Sequence, residues 1–199
     1  MKEFSFNNYL TSNVNADEAQ LKELFKHCSR KSFQKGEHIS LNSAKQEYIY
    51  FVEKGLLRQY SIDEKGKEHV LQFAPEGWFL NNREMLHLNK PVEYKVEALE
   101  DTTVFNLSVE LLEKLEDEID GFSTFNKKLM TNHIRHLQYR INLLLSATAE
   151  DRYMSFINMY PNILLRVPQW MVATYLGITP ESLSRVRKEL ASKNFNPNS

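Results

Sequence analysis

A chain of 199 residues, 42% hydrophobic and 26% charged, is long enough to bury a core and to hold one larger and one smaller domain. No apolar run approaches the roughly 20 residues that span a bilayer, and the amino terminus, MKEFSFNNYL, has no basic segment leading into an apolar one, so a cytoplasmic protein with no membrane partner is expected. The single cysteine, Cys28, excludes an internal disulfide and a zinc finger or iron–sulfur cluster built from this chain's cysteines.

Charge segregates along the chain: residues 1–126 carry 15 Lys and Arg against 22 Asp and Glu, a net of −7, whereas residues 127–199 carry 10 against 4, a net of +6. A basic end on an acidic remainder suits a protein that offers one face to a phosphate backbone. Residues 15–28 are predicted as a short amphipathic helix. Asn15 and Glu18 have capping-box spacing, and Leu21, Leu24, Phe25 and Cys28 form one apolar stripe, so Cys28 is expected in the core, with a redox sensor as the alternative. From Ser29 to Leu107 the pattern changes to the short runs EYIYFVEKG, LLRQYSI, HVLQFAP and TTVFNL, separated by Gly36, Gly55, residues 63–66 and residues 75–77. Many short strands with turn signals at this spacing predict a β-sandwich, roll or barrel. Tyr48, Tyr50, Tyr60, Phe73, Trp78 and Tyr94 are its expected aromatic core, with the lining of a small-molecule pocket as the alternative use.

After Leu107, Ser108 is placed to cap a short helix through Leu115, and the acidic link EDEIDG follows. Residues 122–146 contain no Pro or Gly and predict a single helix, which would be about 38 Å long. Along it Met130, Ile134, Leu137, Ile141 and Leu144 are spaced four, three, four and three apart, the seam of a two-stranded coiled coil; packing on the chain's own β domain is the alternative. His133 and His136 have a spacing that can hold a metal, but no third ligand lies on the next turn of their face, so surface or interface histidines are expected. Thr148 then caps a helix over 149–160 with Tyr153, Phe156, Ile157 and Tyr160 buried, and Pro161 stops it.

The stretch from Val167 to Leu190, VPQWMVATYLGITPESLSRVRKEL, predicts two helices at a tight turn. Pro168 opens the first, Gly177 ends it, and Thr179 caps the second, which runs from Pro180 to Leu190. Val172 and Leu176 share one face of the first helix, Leu183 and Val186 one face of the second; Ile178 sits in the turn and Ala173 is small where the helices cross. That spacing alone also fits a buried helical hairpin. Thr179, Glu181, Ser182, Ser184, Arg185 and Lys188 remain outward, donors and acceptors of the kind that read base edges and phosphates. The final ASKNFNPNS puts Asn and Pro where strand formers would be needed, and its last residues are expected to fray.

The run ITPESLSR resembles the recognition helix of Crp/Fnr-type transcription regulators, with the Glu, Ser and Arg of the Fnr-like branch at Glu181, Ser184 and Arg185. The stretch YIYFVEKGLLRQYSIDEKGKEHVLQFAPEGWF is similar to the core of the cyclic-nucleotide-binding fold, with Gly55 after the strand ending at Glu53, a hairpin around Gly66, and Gly77 leading toward the ligand cassette. The resemblance implies an α+β protein: an N-terminal antiparallel β-roll, a cyclic-nucleotide-binding-like jelly roll, over 1–120; a long dimerisation helix over 121–148; and a C-terminal helix-turn-helix domain over 149–199 that lacks most of the wing many relatives carry. It further implies a homodimeric transcription regulator without enzymatic activity or cofactor, bound to double-stranded DNA at a pseudo-palindromic site with TTGA-like half-sites, and touching RNA polymerase if it activates. Arg185 would donate to guanine O6 and N7, Glu181 would accept from cytosine N4, and Ser182 or Ser184 would meet a base edge or phosphate. Thr179, Lys188 and Gln169 would hold the backbone.

The ligand cassette departs from the family. Nucleotide-binding members follow the aromatic with Gly-Glu and carry Arg-Ser or Arg-Thr about a dozen residues later, whereas this chain has Leu80-Asn81 after Phe79 and Val92-Glu93-Tyr94 after Pro91. Glu93 would repel a cyclic phosphate and the missing Arg would leave it unpaired, so cyclic AMP is not the expected effector. Arg83, otherwise a solvated loop residue, and Tyr94 are the candidate contacts to an unidentified small-molecule effector. Two rival readings are a cupin-type metal enzyme, for which the β segment offers only the isolated His38, His69 and His87, and a small-molecule sensor that acts through a protein partner without binding DNA.

Overall fold

The structure, a computed structural model, describes residues 4–27, 29–39, 48–81 and 94–195. Cys28, Arg83, His87 and Glu93 lie outside the described residues. The chain divides into two packing units, Met1–Ser61 with Leu71–Thr131, and Ile62–Val70 with Asn132–Ser199.

The first unit opens with α1 (Phe6–Thr11) and α2 (Glu18–Leu24), the latter followed by a 3-10 turn at Phe25–His27. The helix is thus shorter than the predicted 15–28, and its cap is Asp17, not Asn15. The Asp17 carboxylate accepts from the Ala19 N–H at 3.1 Å, and Gln20 reaches back to the Asp17 N–H at 3.4 Å. A carboxylate at this place also meets the positive end of the helix, so the later acidic residue outcompetes the earlier amide.

Among the described residues eight strands follow: β1 (Arg30–Phe33), β2 (His38–Ile39), β3 (Tyr48–Lys54), β4 (Leu57–Ile62), β5 (Glu68–Ala74), β6 (Phe79–Asn81), β7 (Lys95–Ala98) and β8 (Thr102–Ser108). They form two four-stranded sheets in the orders β1-β8-β3-β6 and β2-β7-β4-β5. Strands β3 and β8 pair antiparallel, with Tyr50 opposite Asn106 and Val52 opposite Val104. Alternation assigns the faces. Tyr50, Val52 and Val104 meet Leu57, Val96 and Ala98 in one core, while Phe51, Phe105 and Leu107 point the other way into a second. That second core is roofed by Phe6 and Leu10 of α1, Leu21 of α2, and Leu111 and Leu115 of α3 (Val109–Glu118). Of the aromatics read as core, Tyr50, Tyr60 and Phe73 are buried, and Trp78 and Tyr94 are half-buried.

Gly55 holds the β3–β4 corner. Its φ is +92°, and a Cβ there would lie 2.5 Å from Thr102 Oγ1 and 2.7 Å from the Asp101 carbonyl oxygen. The close approach lets the Leu56 N–H donate to Thr102 Oγ1 at 3.1 Å, a buried bond from the β3–β4 turn to β8. Ser108 caps α3 as expected, accepting from the Leu111 N–H at 3.2 Å, and the helix runs three residues past Leu115 into the acidic link. Helix α4 occupies Phe122–Ser146, the bounds predicted from its lack of Pro and Gly.

The second unit contains the rest of α4, the hairpin tip 62–70, α5 (Ala149–Met159), a 3-10 turn at Ile163–Leu165, α6 (Gln169–Leu176) and α7 (Pro180–Phe195). Thr148 and Asp151 form a capping box on α5, with the Asp151 N–H donating to Thr148 Oγ1 at 3.1 Å. Tyr153, Phe156 and Tyr160 are buried; Ile157, predicted with them, is half-buried. Rings of Phe156, Tyr160 and Tyr175 cluster with centroids 5.2 to 5.8 Å apart and join α5 to α6. Helix α7 continues to Phe195, five residues beyond the predicted end at Leu190. Residues 191–195 are therefore helical, and Lys193 Nζ pairs with Glu150 Oε1 of α5 at 2.8 Å; the last residues, expected to fray, lie outside the described residues. Among the described residues no helix is long and apolar enough to cross a membrane.

Candidate nucleic-acid interface

Helix α6 begins one residue later than predicted, because Pro168 has an extended ψ of 146° and precedes the helix as its cap residue. Gly177 closes α6 in the left-handed region at φ 67°. There the Ile178 N–H donates to the Ala173 carbonyl at 3.0 Å and the Gly177 N–H to the Thr174 carbonyl at 3.2 Å, which satisfies carbonyls the helix end would otherwise leave open. Thr179 then caps α7, its Oγ1 accepting from the Ser182 N–H at 3.2 Å.

The two faces of α7 separate as the sequence pattern requires. Leu183 and Val186 are buried with Val172, Ala173 and Leu176 of α6, and Ile178 is half-buried in the turn. Gln169, Thr179, Glu181, Ser184, Arg185 and Lys188 are exposed. Ser182 is half-buried, with its hydroxyl 3.3 Å from that of Thr179, so its oxygen belongs to the cap. The Glu181 carboxyl is held below its ordinary range by its own backbone N–H and then by the Thr179 hydroxyl. It is therefore an ionised acceptor at neutral pH, placed at the start of the helix. Arg187, absent from the outward set read from the sequence, is exposed as well.

Two arginines missed in the sequence hold this motif from below. Arg140 of α4 donates from Nη2 to the Tyr175 carbonyl at 3.1 Å, and its guanidinium carbon lies 3.9 Å from the centre of the Tyr175 ring. Arg152 of α5 donates from Nη1 to the Leu176 carbonyl at 2.8 Å. Both bonds end on the last carbonyls of α6, where the helix dipole favours cations. Nothing local in the sequence signals them, since the pairs are 35 and 24 residues apart.

The seam residues of α4 are largely in solvent: Met130 is 46% exposed, Ile134 and Ile141 56%, Leu137 42% and Leu144 43%. His133 is exposed and His136 half-buried, and desolvation holds both imidazoles below their usual value, with the charge on His133 and Arg140 adding to the effect at His136. Among the described residues no group of three or more His, Cys, Asp and Glu is placed to hold a metal. His69 pairs with Asp63 Oδ2 at 2.9 Å. Inside the roll, Asn106 is 4% exposed and neither of its amide atoms has a protein partner.

The family model described as a cyclic nucleotide-binding domain matches residues 30–118. The chain is 26% identical over 168 residues to Electron transport regulator A of Shewanella oneidensis, which covers 79% of this chain and 66% of that regulator. The chain spans less than two thirds of the length of the curated regulators it matches first. Among solved structures, FixK2 of Bradyrhizobium japonicum superposes with a TM-score of 0.68 at 23% identity, covering 84% of this chain and 86% of that one. A transcriptional regulator of the Crp/Fnr family from Eubacterium rectale does so with a TM-score of 0.64 at 18% identity, covering 94% and 88%. These two likenesses carry the fold. With the roll, the long helix and the α6–α7 turn in place, the chain resembles the transcriptional regulators of the Crp/Fnr family, an α+β protein with a cyclic-nucleotide-binding-like β domain followed by a helical carboxy-terminal region.

Proposed function

We propose that this protein is a homodimeric, sequence-specific DNA-binding regulator of transcription in which α7 enters the major groove. The observation that carries the reading is the division of α7: Leu183 and Val186 are buried against α6 while Glu181, Ser184, Arg185 and Lys188 stand exposed along the opposite side. Arg185 donates two hydrogen bonds to guanine O6 and N7, and Glu181, ionised at the helix start, accepts from cytosine N4. Ser184 reaches a base edge or phosphate, while Thr179, Lys188 and Gln169 hold the backbone. Ser182 contributes through the cap on Thr179.

The exposed α4 stripe supports the dimer, whose twofold axis calls for two TTGA-like half-sites about one helical turn apart. Cyclic AMP does not control this protein, since Leu80-Asn81 replaces the Gly-Glu pair of nucleotide-binding members. Selection of bound duplexes from a random pool tests the proposal: a pseudo-palindrome is expected, and Arg185→Ala should cost about 1–3 kcal/mol and relax preference at one guanine. A pool that shows no enrichment, or a motif unchanged by Arg185→Ala, overturns it.

A further inference from the structure

A helix leaves its last carbonyls without partners of its own, so each must be met from outside. In α6 two kinds of donor share the task. The backbone of the turn takes the earlier pair, with the Ile178 N–H on Ala173 and the Gly177 N–H on Thr174. Side chains take the later pair: Arg140 of α4 donates to the Tyr175 carbonyl at 3.1 Å and Arg152 of α5 to the Leu176 carbonyl at 2.8 Å. Arg140 has a second acceptor, because the same Nη2 also donates to the Val70 carbonyl at 3.1 Å. A terminal guanidinium nitrogen carries two hydrogens, and each carbonyl takes one.

Val70 belongs to β5, the outermost strand in the order β2-β7-β4-β5, and an outermost strand has carbonyls that no neighbouring strand meets. Ile62–Val70 packs in the same unit as Asn132–Ser199. Asp63 closes the hairpin at its tip. Its N–H donates to the Lys67 carbonyl at 3.0 Å, its Oδ1 accepts from the Lys65 and Lys67 N–H groups at 2.9 and 3.0 Å, and its Oδ2 pairs with His69 at 2.9 Å. On the far side of Arg140, the guanidinium carbon lies 3.9 Å from the centre of the Tyr175 ring, which packs in turn on Phe156 and Tyr160. A guanidinium is planar and presents its donors as a fixed fork. It cannot follow one carbonyl without turning away from the other or off the ring.

We propose that Arg140 is a positioning residue that couples the β4–β5 hairpin to the end of α6 and, through the Gly177 turn, to the helix that reads DNA. The last step rests on the DNA-binding reading above. While the hairpin holds its place, the fork fixes the Tyr175 carbonyl beside the turn. A shift of β5 that draws Val70 away turns the fork, and hydrogen bonds weaken steeply as they lose alignment. Duplex affinity then follows the state of the hairpin, and by linkage bound DNA favours the hairpin in its held state.

Amide hydrogen exchange of the full chain tests the coupling without DNA. Asp63→Ala removes the side chain that closes the hairpin tip and leaves Arg140 and the α6–α7 turn as they are. Exchange at the Ile178 N–H, whose bond to Ala173 closes α6, should rise by about fivefold or more. The Tyr160 N–H, bonded to the Phe156 carbonyl in the same unit, should change by less than about twofold. In Arg140→Lys, which keeps the charge and gives up the fork, the effect of Asp63→Ala at Ile178 should fall below about twofold. No rise at Ile178 in the parent overturns the coupling, and that arm needs no Arg140 variant to fold. An equal rise at Tyr160, or an equal rise at Ile178 in Arg140→Lys, overturns the role of Arg140 and leaves it as a cap of α6 alone.

Duplex affinity tests the last step. Asp63→Ala should weaken binding of the selected duplex by about fivefold or more and Arg140→Lys by about tenfold, with the double variant no weaker than Arg140→Lys. Losses that add overturn the relay to DNA. A chain that shows the exchange coupling but binds no duplex refutes the DNA-binding reading while the coupling stands.

Discussion

Ile134 lies in the α4 stripe at 56% exposure, with Met130 and Leu137 at 46% and 42% on either side. In a single chain Ile134→Asp changes stability by roughly 0.5 kcal/mol or less, as exposed substitutions usually do. Across a twofold seam the same change is large. Full burial of an isoleucine is worth about 1.5–3 kcal/mol, so two half-exposed copies forfeit roughly 2 kcal/mol, a factor of about 30 in the dimer constant. Two carboxylates facing one another in a packed seam add several kcal/mol of uncompensated desolvation, for a total weakening on the order of 10⁴-fold. Ile134→Ala isolates the first contribution and should weaken the dimer by about 30-fold. Sedimentation velocity over a concentration series measures both, with circular dichroism to confirm that the helices persist. An Ile134→Asp chain that remains dimeric at the parent's concentrations would refute the assignment of this stripe as the seam.

Gly55→Ala should destabilise the β domain by about 3 kcal/mol or more, because its Cβ would stand 2.5 Å from Thr102 Oγ1 at a φ of +92°; a urea midpoint unchanged from the parent contradicts this. Thr148→Ala removes the capping box of α5 and should cost about 1 kcal/mol in the same assay. His133 and His136 both titrate below the ordinary imidazole value of 6.5, so between their folded values and 6.5 the unfolded chain binds more protons. Their contribution is full above pH 6.5 and is lost as the pH falls through the folded values. The double variant His133→Gln and His136→Gln should lose part of the acid-side slope of stability against pH, and an identical slope would count against burial as the cause.

What the sequence made legible was the structure that local chemistry encodes. Gly177 and Thr179 define the α6–α7 turn whatever lies around them, the lack of Pro and Gly sets the bounds of α4, and Ser108 and Thr148 sit at their caps. Elements held by distant partners were not legible. The six residues of α1 carry Phe6, Tyr9 and Leu10 at helical spacing but span less than two turns, too short to stand on their own, and their place comes from Phe6, whose ring stacks on Phe105 at 4.8 Å and whose N–H donates to Glu53 Oε1 at 2.8 Å. Strand β1 reads RKSF with three exposed residues, an edge pattern indistinguishable from a loop until β8 pairs with it. The last turn of α7 has a polar sequence and pairs through Lys193 with Glu150, 43 residues away. For the same reason Arg140 and Arg152 were absent from the candidate site, although the carbonyls they hold belong to its first helix.

Two half-sites on one face of a duplex are what a pair of α7 helices fixed by the α4 seam would require. The most direct test inserts about 5 base pairs, half a helical turn, between the half-sites of the selected duplex. Equilibrium binding should then fall to the level of a duplex carrying a single half-site, and a further insertion of about 5 base pairs should not restore it, because the distance no longer matches the dimer. Affinity that is indifferent to the first insertion would contradict the claim that paired recognition helices read the two sites together.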